Sequence, residues 1–241
     1  MSVNHKCPVG PFPIAAFEDV DQAVGSILSH AELAEVGALV AINAEKIVSN
    51  MPPQAHMLEL MDFATFYADG YPVARAMRGK GFKEARRIPG IELWMQLMRR
   101  AGQTGLRVFL LGGEEAVNAE TAQRLTRELG VSVVGRHHGY FEDSGEVVEY
   151  IEACAPDIVC VAMGSPRQEK FIALARGRHS RALYMGVGGS YDVYTGKVAR
   201  APRWLRDAGL EWAYRLFKQP TRFLRYIRLF QFATIYVGGK L

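Results

Sequence analysis

The stretch RVFLLGGEEAVNAETAQRLTRELGVSVVG, residues 107–135, decides the fold class. Its first part, RVFLLGG (107–113), is an apolar run that ends in two glycines. A segment of helical character (114–129) then leads into a second apolar run, VSVVG (131–135). Short buried runs joined by a helix are typical of parallel strands with a crossover connection. We therefore expect a strand–helix–strand unit at the centre of the chain.

The same alternation extends over most of the chain. Further strands are predicted at 38–43, 65–70, 157–164 and 182–189, and further helices at 44–62, 71–79, 90–102, 144–154 and 166–177. Strands that alternate with helices form a mostly parallel sheet covered on both faces. The predicted fold class is therefore α/β, with a Rossmann-like, mostly parallel sheet flanked by helices.

The last part of the chain has a different pattern. Two helices are predicted there, at 203–219 and 221–236, with a break at Pro220. We therefore divide the chain into an α/β body, residues 1–196, and a C-terminal basic helical appendage, residues 197–241.

Length and composition limit the classes of protein. The chain has 241 residues, of which 49% are hydrophobic, enough for one large domain or a domain with an appendage. Three cysteines without CxxC spacing argue against a disulfide framework or a Cys-based zinc site, and favour a reducing compartment. No apolar run approaches the ~20 residues of a membrane span. We expect a cytoplasmic protein, with a peripheral membrane role left open.

Positive charge is concentrated in the appendage. Residues 197–241 contain ten basic and two acidic residues, whereas residues 1–196 carry a net charge of −4. Aromatic and aliphatic residues interleave with the arginines, as in a helix that lies on an anionic membrane surface. An ordinary helix with a buried aromatic face and solvated arginines is the alternative. Nucleic acid is disfavoured as a partner, because no known nucleic-acid-binding motif accompanies the charge.

Polar and glycine-rich clusters follow the predicted strands. They are Asn43, Asp69-Gly70, Gly112-Gly113, Gly164-Ser165 and the segment 186–189. Ligands of parallel sheets bind beyond the carboxyl ends of the strands, where helix N-termini also attract phosphate. We therefore expect the ligand site at this edge of the sheet.

Familiar site motifs are missing from these loops. GxGxxG and GxxxxGK[ST] are both absent, which disfavours a dehydrogenase and a P-loop enzyme, and no HExxH or paired His/Cys set indicates a metal. Glu114 and Glu115, directly after a glycine pair, would repel a phosphate close by. A nucleotide diphosphate would then need arginines and helix N-termini rather than a cation to offset its charge.

Three polar positions are open to two interpretations. In MGSPRQEKF (163–171), Arg167 and Gln168 lie in the first turn of a helix, where they bind a sugar or phosphate oxygen or are simply solvated. Asp192 follows several glycines and could accept hydrogen bonds from a ribose or a base. Asp69, in YADGYP, is either a turn residue or a general base at a strand end.

A set of blocks, in order, resembles the WecG/TagA/CpsF family of bacterial glycosyltransferases over about residues 38–228. The blocks are NAEK (43–46), YADG (67–70), RIPGIELW (87–94), FLLGG (109–113), GYF (139–141), AMGSPRQE (162–169), GVGGSYDVYTGKVARAP (186–202) and GLEWAYRLFKQPTR (209–222). Within the family they are most similar to the UDP-N-acetyl-D-mannosaminuronate transferases.

The resemblance implies an inverting, metal-independent transfer from UDP-ManNAcA to the 4-hydroxyl of GlcNAc on undecaprenyl diphosphate, an intermediate of enterobacterial common antigen. It also implies peripheral attachment to the cytoplasmic membrane face, self-association, and an appendage that closes over the site. UDP-ManNAc or UDP-glucose as the donor, in teichoic acid or exopolysaccharide synthesis, stays open. So does a non-catalytic module that binds UDP or a lipid diphosphate.

By motif, the resemblance assigns four residues to catalysis. Asp69 is the general base that takes the proton of the acceptor hydroxyl, and Gln168 is the active-site glutamine. Arg87 holds donor or acceptor oxygens, and Asn43 is the asparagine after the first strand. Many members have a threonine two residues before that asparagine, where this chain has Ala41, so any role of that hydroxyl is lost or supplied elsewhere.

The donor nucleotide is assigned to a second set of positions. They are Gly112, Gly113, Tyr140, Gly164, Arg167, Gly188, Gly189 and Asp192, with Arg215, Arg222 and Arg225 of the appendage expected at the leaving diphosphate. A uronate donor calls for a further cation, ideally a bidentate arginine. Arg167 and Arg87 are both candidates for that contact.

Overall fold

An eight-stranded sheet forms the centre of the chain. The structure is a computed structural model that describes residues 5–29, 33–51, 57–178, 181–202, 205, 223–239 and 241. The strands are β1 (Lys6–Val9), β2 (Phe12–Ala15), β3 (Ala38–Ile42), β4 (Ala64–Ala68), β5 (Arg107–Gly112), β6 (Ser132–His137), β7 (Ile158–Ala162) and β8 (Leu183–Gly186). The helices are α1 (Val20–Leu28), α2 (Ala44–Ser49), α3 (Tyr71–Gly79), α4 (Gly90–Thr104), α5 (Glu115–Leu129), α6 (Ser144–Cys154), α7 (Arg167–Arg178), α8 (Ser190–Tyr194) and α9 (Phe223–Val237).

The strand order confirms the predicted α/β fold. It is β1-β2-β4-β3-β8-β7-β5-β6, and every neighbouring pair except β1–β2 is parallel. All six predicted strands are present, with ends that differ by a few residues. Helices connect the parallel strands, so the carboxyl ends of β2 to β8 share one edge of the sheet.

The N-terminal hairpin was not predicted. β1 and β2 pair antiparallel, and Gly10 in their turn has a φ of 57°. Pro8 and Pro13 lie opposite each other in this ladder. Proline lacks the N–H that a ladder uses, so it is tolerated mainly at sheet edges, and the three prolines between Lys6 and Ala15 are typical of a loop.

The predicted helix over 44–62 was wrong. α2 ends at Ser49, and the backbone of Asn50 has left the helical region, with φ −116° and ψ 7°. Met51 precedes Pro52, and a proline ring disfavours helical backbone in the residue before it. A short 3₁₀ turn at Leu58–Leu60 follows further along. The short helix α8 was also missed, inside a segment that its glycines made look irregular.

The sheet is buried on both faces. All five residues of β4 and all five of β7 are buried, which explains why these strands read as continuous apolar runs rather than alternating ones. Neighbouring side chains still point to opposite faces, so Phe66 and Tyr67 belong to different core clusters. Each face of the sheet therefore has its own hydrophobic core.

The last helix packs against α2. Phe232 of α9 is 2% exposed and belongs to one of the two core clusters, while Arg228 pairs with Glu45 at 3.2 Å. α9 confirms the second helix predicted for the appendage. The first, at 203–219, lies outside the described residues apart from Leu205. No helix in the described part of the chain is long and apolar enough to cross a bilayer.

Candidate functional site

The predicted site residues of the body meet at one edge of the sheet. Each follows the carboxyl end of a parallel strand: Asn43 after β3, Asp69 after β4, Gly112 and Gly113 at the end of β5, Tyr140 after β6, Gly164 and Arg167 after β7, and Gly188, Gly189 and Asp192 after β8. We name the loops after β5 to β8 the glycine-rich half of this edge. The loops after β2, β3 and β4 are the charged half.

The strand order places a topological switch point in the glycine-rich half, and we name the region outside the ends of β5 and β7 the crevice. From β5 the chain moves outward to β6, and it then returns to β7 on the other side of β5. Open α/β sheets bind ligands outside such a switch point. The glycine pair after β5 and Gly164 after β7 border this crevice.

Close packing of backbone explains the glycines after β5. Gly112 has a φ of 105°, and a Cβ on it would lie 2.2 Å from the carbonyl oxygen of Ala162. The next residue, Gly113, donates its N–H to that same oxygen at 2.9 Å and accepts from the N–H of Gly139 at 2.8 Å. Only glycine allows the loops after β5, β6 and β7 to approach this closely.

A buried asparagine joins two of these loops. Asn118 of α5 is fully buried, and its Nδ2 donates to the carbonyl oxygens of Gly112 at 2.8 Å and His137 at 3.1 Å. These carbonyls lie at the ends of β5 and β6. The sequence analysis missed Asn118, because a polar residue inside an amphipathic helix usually faces solvent.

The rim of the glycine-rich half carries ionic side chains. Arg167 is exposed and donates from Nη2 to the carbonyl of Gly139 at 3.2 Å, beside the exposed Tyr140. Glu114 pairs with Lys197 at 2.7 Å, and a hydrogen bond from that carboxylate raises the pKa of Lys197. The acidic residues after β5 are therefore offset, since Glu115 also pairs with Arg136 at 2.6 Å.

The two halves meet between β3 and β8. These strands pair only at Ala38↔Tyr184 and Leu39↔Met185, so they separate towards their carboxyl ends. The carbonyl of Ala41 is left without a strand partner on that side and accepts from Lys46 Nζ at 2.8 Å. The same nitrogen donates to Glu169 Oε1 at 2.8 Å. A buried ion pair thus fills the gap between the diverging strands.

Gln168, the glutamine of the AMGSPRQE block, is hydrogen-bonded to this buried ion pair. Gln168 is 4% exposed, donates from Nε2 to Glu169 Oε1 at 2.9 Å, and accepts at Oε1 from the N–H of Gly188 at 3.0 Å. A Cβ on Gly186 would lie 2.6 Å from that Nε2. Both ends of the Gln168 amide are therefore occupied, and its visible role is to hold the loop after β8 against α7.

The charge of Glu169 depends on its partners. Burial alone would raise the pKa of Glu169, but the positive charge of Lys46 and hydrogen bonds from Lys46, Gln168 and Ser165 outweigh burial, so the pKa lies below its usual value. No role was predicted for Lys46 or Glu169. Both stand in quoted blocks, but their contact joins positions 123 residues apart.

Asp69 follows β4, which lies between β2 and β3 in the charged half. Its Oδ1 accepts from the N–H of Gly90 at 2.9 Å, at the first residue of α4, where the helix dipole favours a negative charge. Its carbonyl accepts from Arg87 Nε at 2.7 Å. The carboxylate is thus fixed at the strand end by the backbone of a neighbouring helix, and the role of Asp69 as a general base stays a prediction.

Arg87 links Asp69 to a cleft. Its guanidinium lies over the ring of Tyr71, 4.9 Å from the centroid. Beyond these two side chains, the charged half opens into a cleft of about 370 Å³. Arg87 thus lines this cleft, and its predicted contact with donor or acceptor oxygens stays a prediction.

Asn43 has a structural role. Its side-chain oxygen accepts from the N–H of Lys46 at 2.9 Å and so caps α2. Near it, Ala41 pairs in register with Tyr67, whose buried hydroxyl has no hydrogen-bond partner among the described residues. Burial, and then the charge of Asp69, raise the pKa of Tyr67 well above its usual value. Tyr67, on the strand beside Ala41, therefore carries a hydroxyl, whereas Ala41 has none where many family members have a threonine.

The predicted arginines of the appendage cannot be placed. Arg215, Arg222 and the side chain of Arg225 lie outside the described residues. In the described part, no three His, Cys, Asp or Glu residues converge as a metal site would require. Independence from metal stays a prediction.

The geometry and the sequence lead to one family. The site lies at the carboxyl edge of a parallel sheet, with a glycine-lined crevice on one side and a fixed carboxylate on the other. A family model described as "Glycosyl transferase WecG/TagA/CpsF family" matches residues 9–241. The match covers nearly the whole chain and includes every candidate site residue. The chain belongs to the WecG/TagA/CpsF family of glycosyltransferases.

Proposed function

We propose that this chain is an inverting transferase that moves N-acetylmannosaminuronate from UDP-ManNAcA to the 4-hydroxyl of GlcNAc-diphosphoundecaprenol, a lipid intermediate of enterobacterial common antigen. The family supports the coarser statement of a glycosyltransferase in cell-surface polysaccharide synthesis, with a nucleotide-sugar donor and a lipid-linked acceptor. The choice of donor rests on the resemblance of AMGSPRQE (162–169) and the block that begins at Gly186 to the mannosaminuronate transferases.

One observation carries the chemistry. The Asp69 carboxylate is fixed by the N–H of Gly90 at 2.9 Å and lies between the crevice of the glycine-rich half and the cleft of the charged half. A general base must be held within hydrogen-bond reach of the hydroxyl from which it takes a proton. With Oδ1 engaged by Gly90, the proton of the acceptor would go to Oδ2.

The bonds change in a single displacement. Asp69 takes the proton of the acceptor hydroxyl as its oxygen forms a bond to C1 of the donor sugar. The bond from C1 to the diphosphate oxygen breaks, and UDP leaves with the electron pair. Attack from the face opposite UDP inverts the configuration at C1.

The glycine-rich half suits the donor nucleotide. Its glycines leave no side chain between a phosphate and the backbone, and α7, which is twelve residues long, begins at its edge. We assign UDP to the crevice between β5 and β7, and the charge of the leaving diphosphate to Arg215, Arg222 and Arg225. Arg167 lies in this half, so we assign it, rather than Arg87, to the uronate carboxylate.

Attachment to the membrane face is part of the proposal. The solvent side of α9 carries Ile227, Phe230 and Val237, which are 44%, 74% and 85% exposed, beside the half-exposed Arg228. Apolar and basic side chains on one helix suit an anionic lipid surface. Self-association stays a prediction.

A donor comparison tests the proposal. The enzyme is given a short-chain polyprenyl-diphosphate-GlcNAc acceptor in liposomes with EDTA, and is offered UDP-ManNAcA, UDP-ManNAc or UDP-glucose while UDP release and product mass are measured. We expect UDP-ManNAcA to be preferred, with turnover unaffected by EDTA. Preference for another donor would agree with the family assignment but contradict UDP-ManNAcA as the donor. UDP binding without turnover for any donor would favour the non-catalytic module.

A further inference from the structure

The cleft of the charged half is a feature of the edge to which no ligand has been assigned. Three segments beside the strand ends build it, namely the loop after β2, the start of α3 and the residues around the start of α4, and Arg200 adds a fourth. These segments meet because β2 and β4 run parallel and end at the same edge. Arg86 donates its N–H to the carbonyl of Phe17 at 2.9 Å, and Ile88 donates to that of Ala68 at 2.7 Å, so backbone bonds fix the walls.

The charges that line the cleft nearly cancel. Its carboxylates come from Glu18, Asp19 and Glu92, and its guanidinium groups from Arg86, Arg87 and Arg200. Arg200 and Glu92 are joined at 2.5 Å. The lining therefore offers both hydrogen-bond donors and acceptors without a strong net charge. Such a surface suits a neutral ligand with many hydroxyl groups better than a nucleoside diphosphate.

An aromatic ring adds an apolar contact to this lining. Tyr71 is 42% exposed, and its ring is held by the guanidinium of Arg87, which in turn is fixed by the carbonyl of Asp69. Ligand pockets commonly combine an aromatic wall with a few placed polar groups that fix orientation. The ring is thus connected through one side chain to the residue proposed as the base.

The direction of attack separates this cleft from the donor site. In a displacement that inverts C1, the acceptor and the leaving UDP lie on opposite sides of that carbon. Asp69 follows β4 and the β7 loop lies three strands away, which is about 14 Å at the usual strand spacing of about 4.8 Å. With UDP beyond β8, the donor sugar lies in front of β3 and β8. The acceptor then comes from the other side of Asp69, where the cleft opens.

We infer that the cleft beside Arg87 binds the acceptor saccharide, a neutral N-acetylhexosamine, and sets the acceptor specificity of the transfer. This inference rests on the proposed function and deepens it. It assigns Tyr71, Glu18 and Arg200 to recognition of the sugar, and none of them to UDP or to the lipid chain.

Tyr71→Ala is the main test, with Tyr71→Phe as its matched control because phenylalanine keeps the ring. Initial rates are measured against a short-chain polyprenyl-diphosphate-GlcNAc acceptor, and the Kd of UDP is measured on the same preparations by calorimetry. We expect the acceptor KM of Tyr71→Ala to rise about tenfold or more, since lost pocket contacts typically cost 10–200-fold. Tyr71→Phe should stay within about threefold of the wild type, and the Kd of UDP should not change.

A soluble probe separates the sugar from the lipid. GlcNAc 1-phosphate has no polyprenyl chain, and we expect it to compete with the acceptor in the wild type and to lose potency in Tyr71→Ala. Glu18→Gln, at an exposed position, provides a second variant if Tyr71→Ala does not fold. It should raise the acceptor KM in the same direction.

Two results would overturn the inference. A higher donor KM with an unchanged acceptor KM would assign the cleft to the donor, and unchanged values for both substrates in folded variants would remove the cleft from the reaction. Failure of the proposed function looks different, because the wild type itself would then show no transfer to the GlcNAc acceptor.

Discussion

The two halves of the site occupy equivalent places in the fold but use different parts of the chain. In the glycine-rich half, neighbouring loops contact each other through backbone N–H and carbonyl groups, as at Gly112 and Gly113. In the charged half, side chains define the site: Asp69 follows β4, and Arg87, from the segment before α4, donates to its carbonyl. Under the proposed function, this difference corresponds to a division of labour, with the donor nucleotide bound in the glycine-rich half and the acceptor hydroxyl deprotonated in the charged half. The variants below alter one half, the link between the halves or, as a comparison, the distant helix α9.

The largest effect is expected at the link. Lys46→Met would leave Glu169 buried at 2% exposure without its cation, and breaking such a pair typically costs about 3–5 kcal/mol. The free energy of unfolding in urea at pH 7 measures this loss. Arg127→Ala, which removes an exposed ion pair with Glu128 on α5, is the control and should cost less than about 1 kcal/mol.

The pH dependence of the free energy of unfolding tests whether Glu169 is charged. The folded-state pKa of Glu169 is lowered, so the wild-type pair stabilises the fold above the carboxyl's ordinary pKa and loses that contribution as the pH falls through the folded value. Lys46→Met removes the charge that most opposes the effect of burial, so the pKa of Glu169 should be higher in the variant than in the wild type. The stability difference between wild type and variant should therefore shrink from pH 7 to pH 4. A constant difference would contradict a charged Glu169.

The double variant Lys46→Met/Glu169→Met separates folding from positioning. Replacing both charges by apolar side chains is often neutral for stability, so most of the lost free energy should return. Activity should stay low, since Gln168 would lose the acceptor of its Nε2 hydrogen bond. Full recovery of kcat would show that the pair does not position the loop after β8.

Gly112→Ala should damage only the glycine-rich half. The new Cβ would meet the Ala162 carbonyl, and alanine is strained at a φ of 105°. We expect a loss of stability of about 1–3 kcal/mol and UDP binding that is at least tenfold weaker. Gly105→Ala, at a left-handed position where a Cβ meets nothing within 4 Å, is the matched control for backbone strain. Equal UDP affinity in both variants would contradict the assignment of UDP to this crevice.

Arg167→Ala tests the donor sugar within the same half. If Arg167 binds the uronate carboxylate, kcat/KM for UDP-ManNAcA should fall about tenfold more than that for UDP-ManNAc, as expected for a charged hydrogen bond of about 1.5–3 kcal/mol. Arg136→Ala, which removes another exposed arginine near that rim, should leave the ratio of the two donors unchanged. A parallel fall for both donors in Arg167→Ala would argue for a phosphate contact instead.

The smallest effect is expected away from both halves. Arg228→Ala removes an exposed ion pair with Glu45 and one cation of α9. We expect anionic liposomes to bind the variant less tightly by about 1 kcal/mol at low salt, with the difference vanishing at high salt. The Kd of UDP should not change. Equal binding to anionic and neutral liposomes by the wild type would contradict the membrane role of α9.

The sequence allowed more of the strands than of the contacts to be predicted. Buried strands such as β5 and β7 are local apolar runs, and the glycines after them are visible without a structure. The Lys46–Glu169 pair could not be predicted, because it depends on where β3 and β8 separate, and its residues lie 123 positions apart. The cleft could not be predicted for the same reason, because it requires the end of β2. The prolines of the β1–β2 hairpin prevented that strand from being recognised in the sequence.

Two predicted site residues have structural roles that their motifs did not indicate. Asn43 caps α2, and Gln168 is held at both ends of its amide. A motif records that a residue type recurs at a position but does not say whether it touches a ligand or the fold. Only the hydrogen-bond partners distinguish the two.

Asp69→Asn gives the most direct test of the central claim, that base chemistry and nucleotide binding are separated across the edge of the sheet. Asparagine can still accept a hydrogen bond from the N–H of Gly90 but cannot take a proton. Transfer is measured together with the Kd of UDP on one preparation. We predict a loss of about 10²–10⁴-fold in kcat with an unchanged Kd. Near-normal turnover, or a loss of UDP affinity that matches the loss of activity, would contradict it.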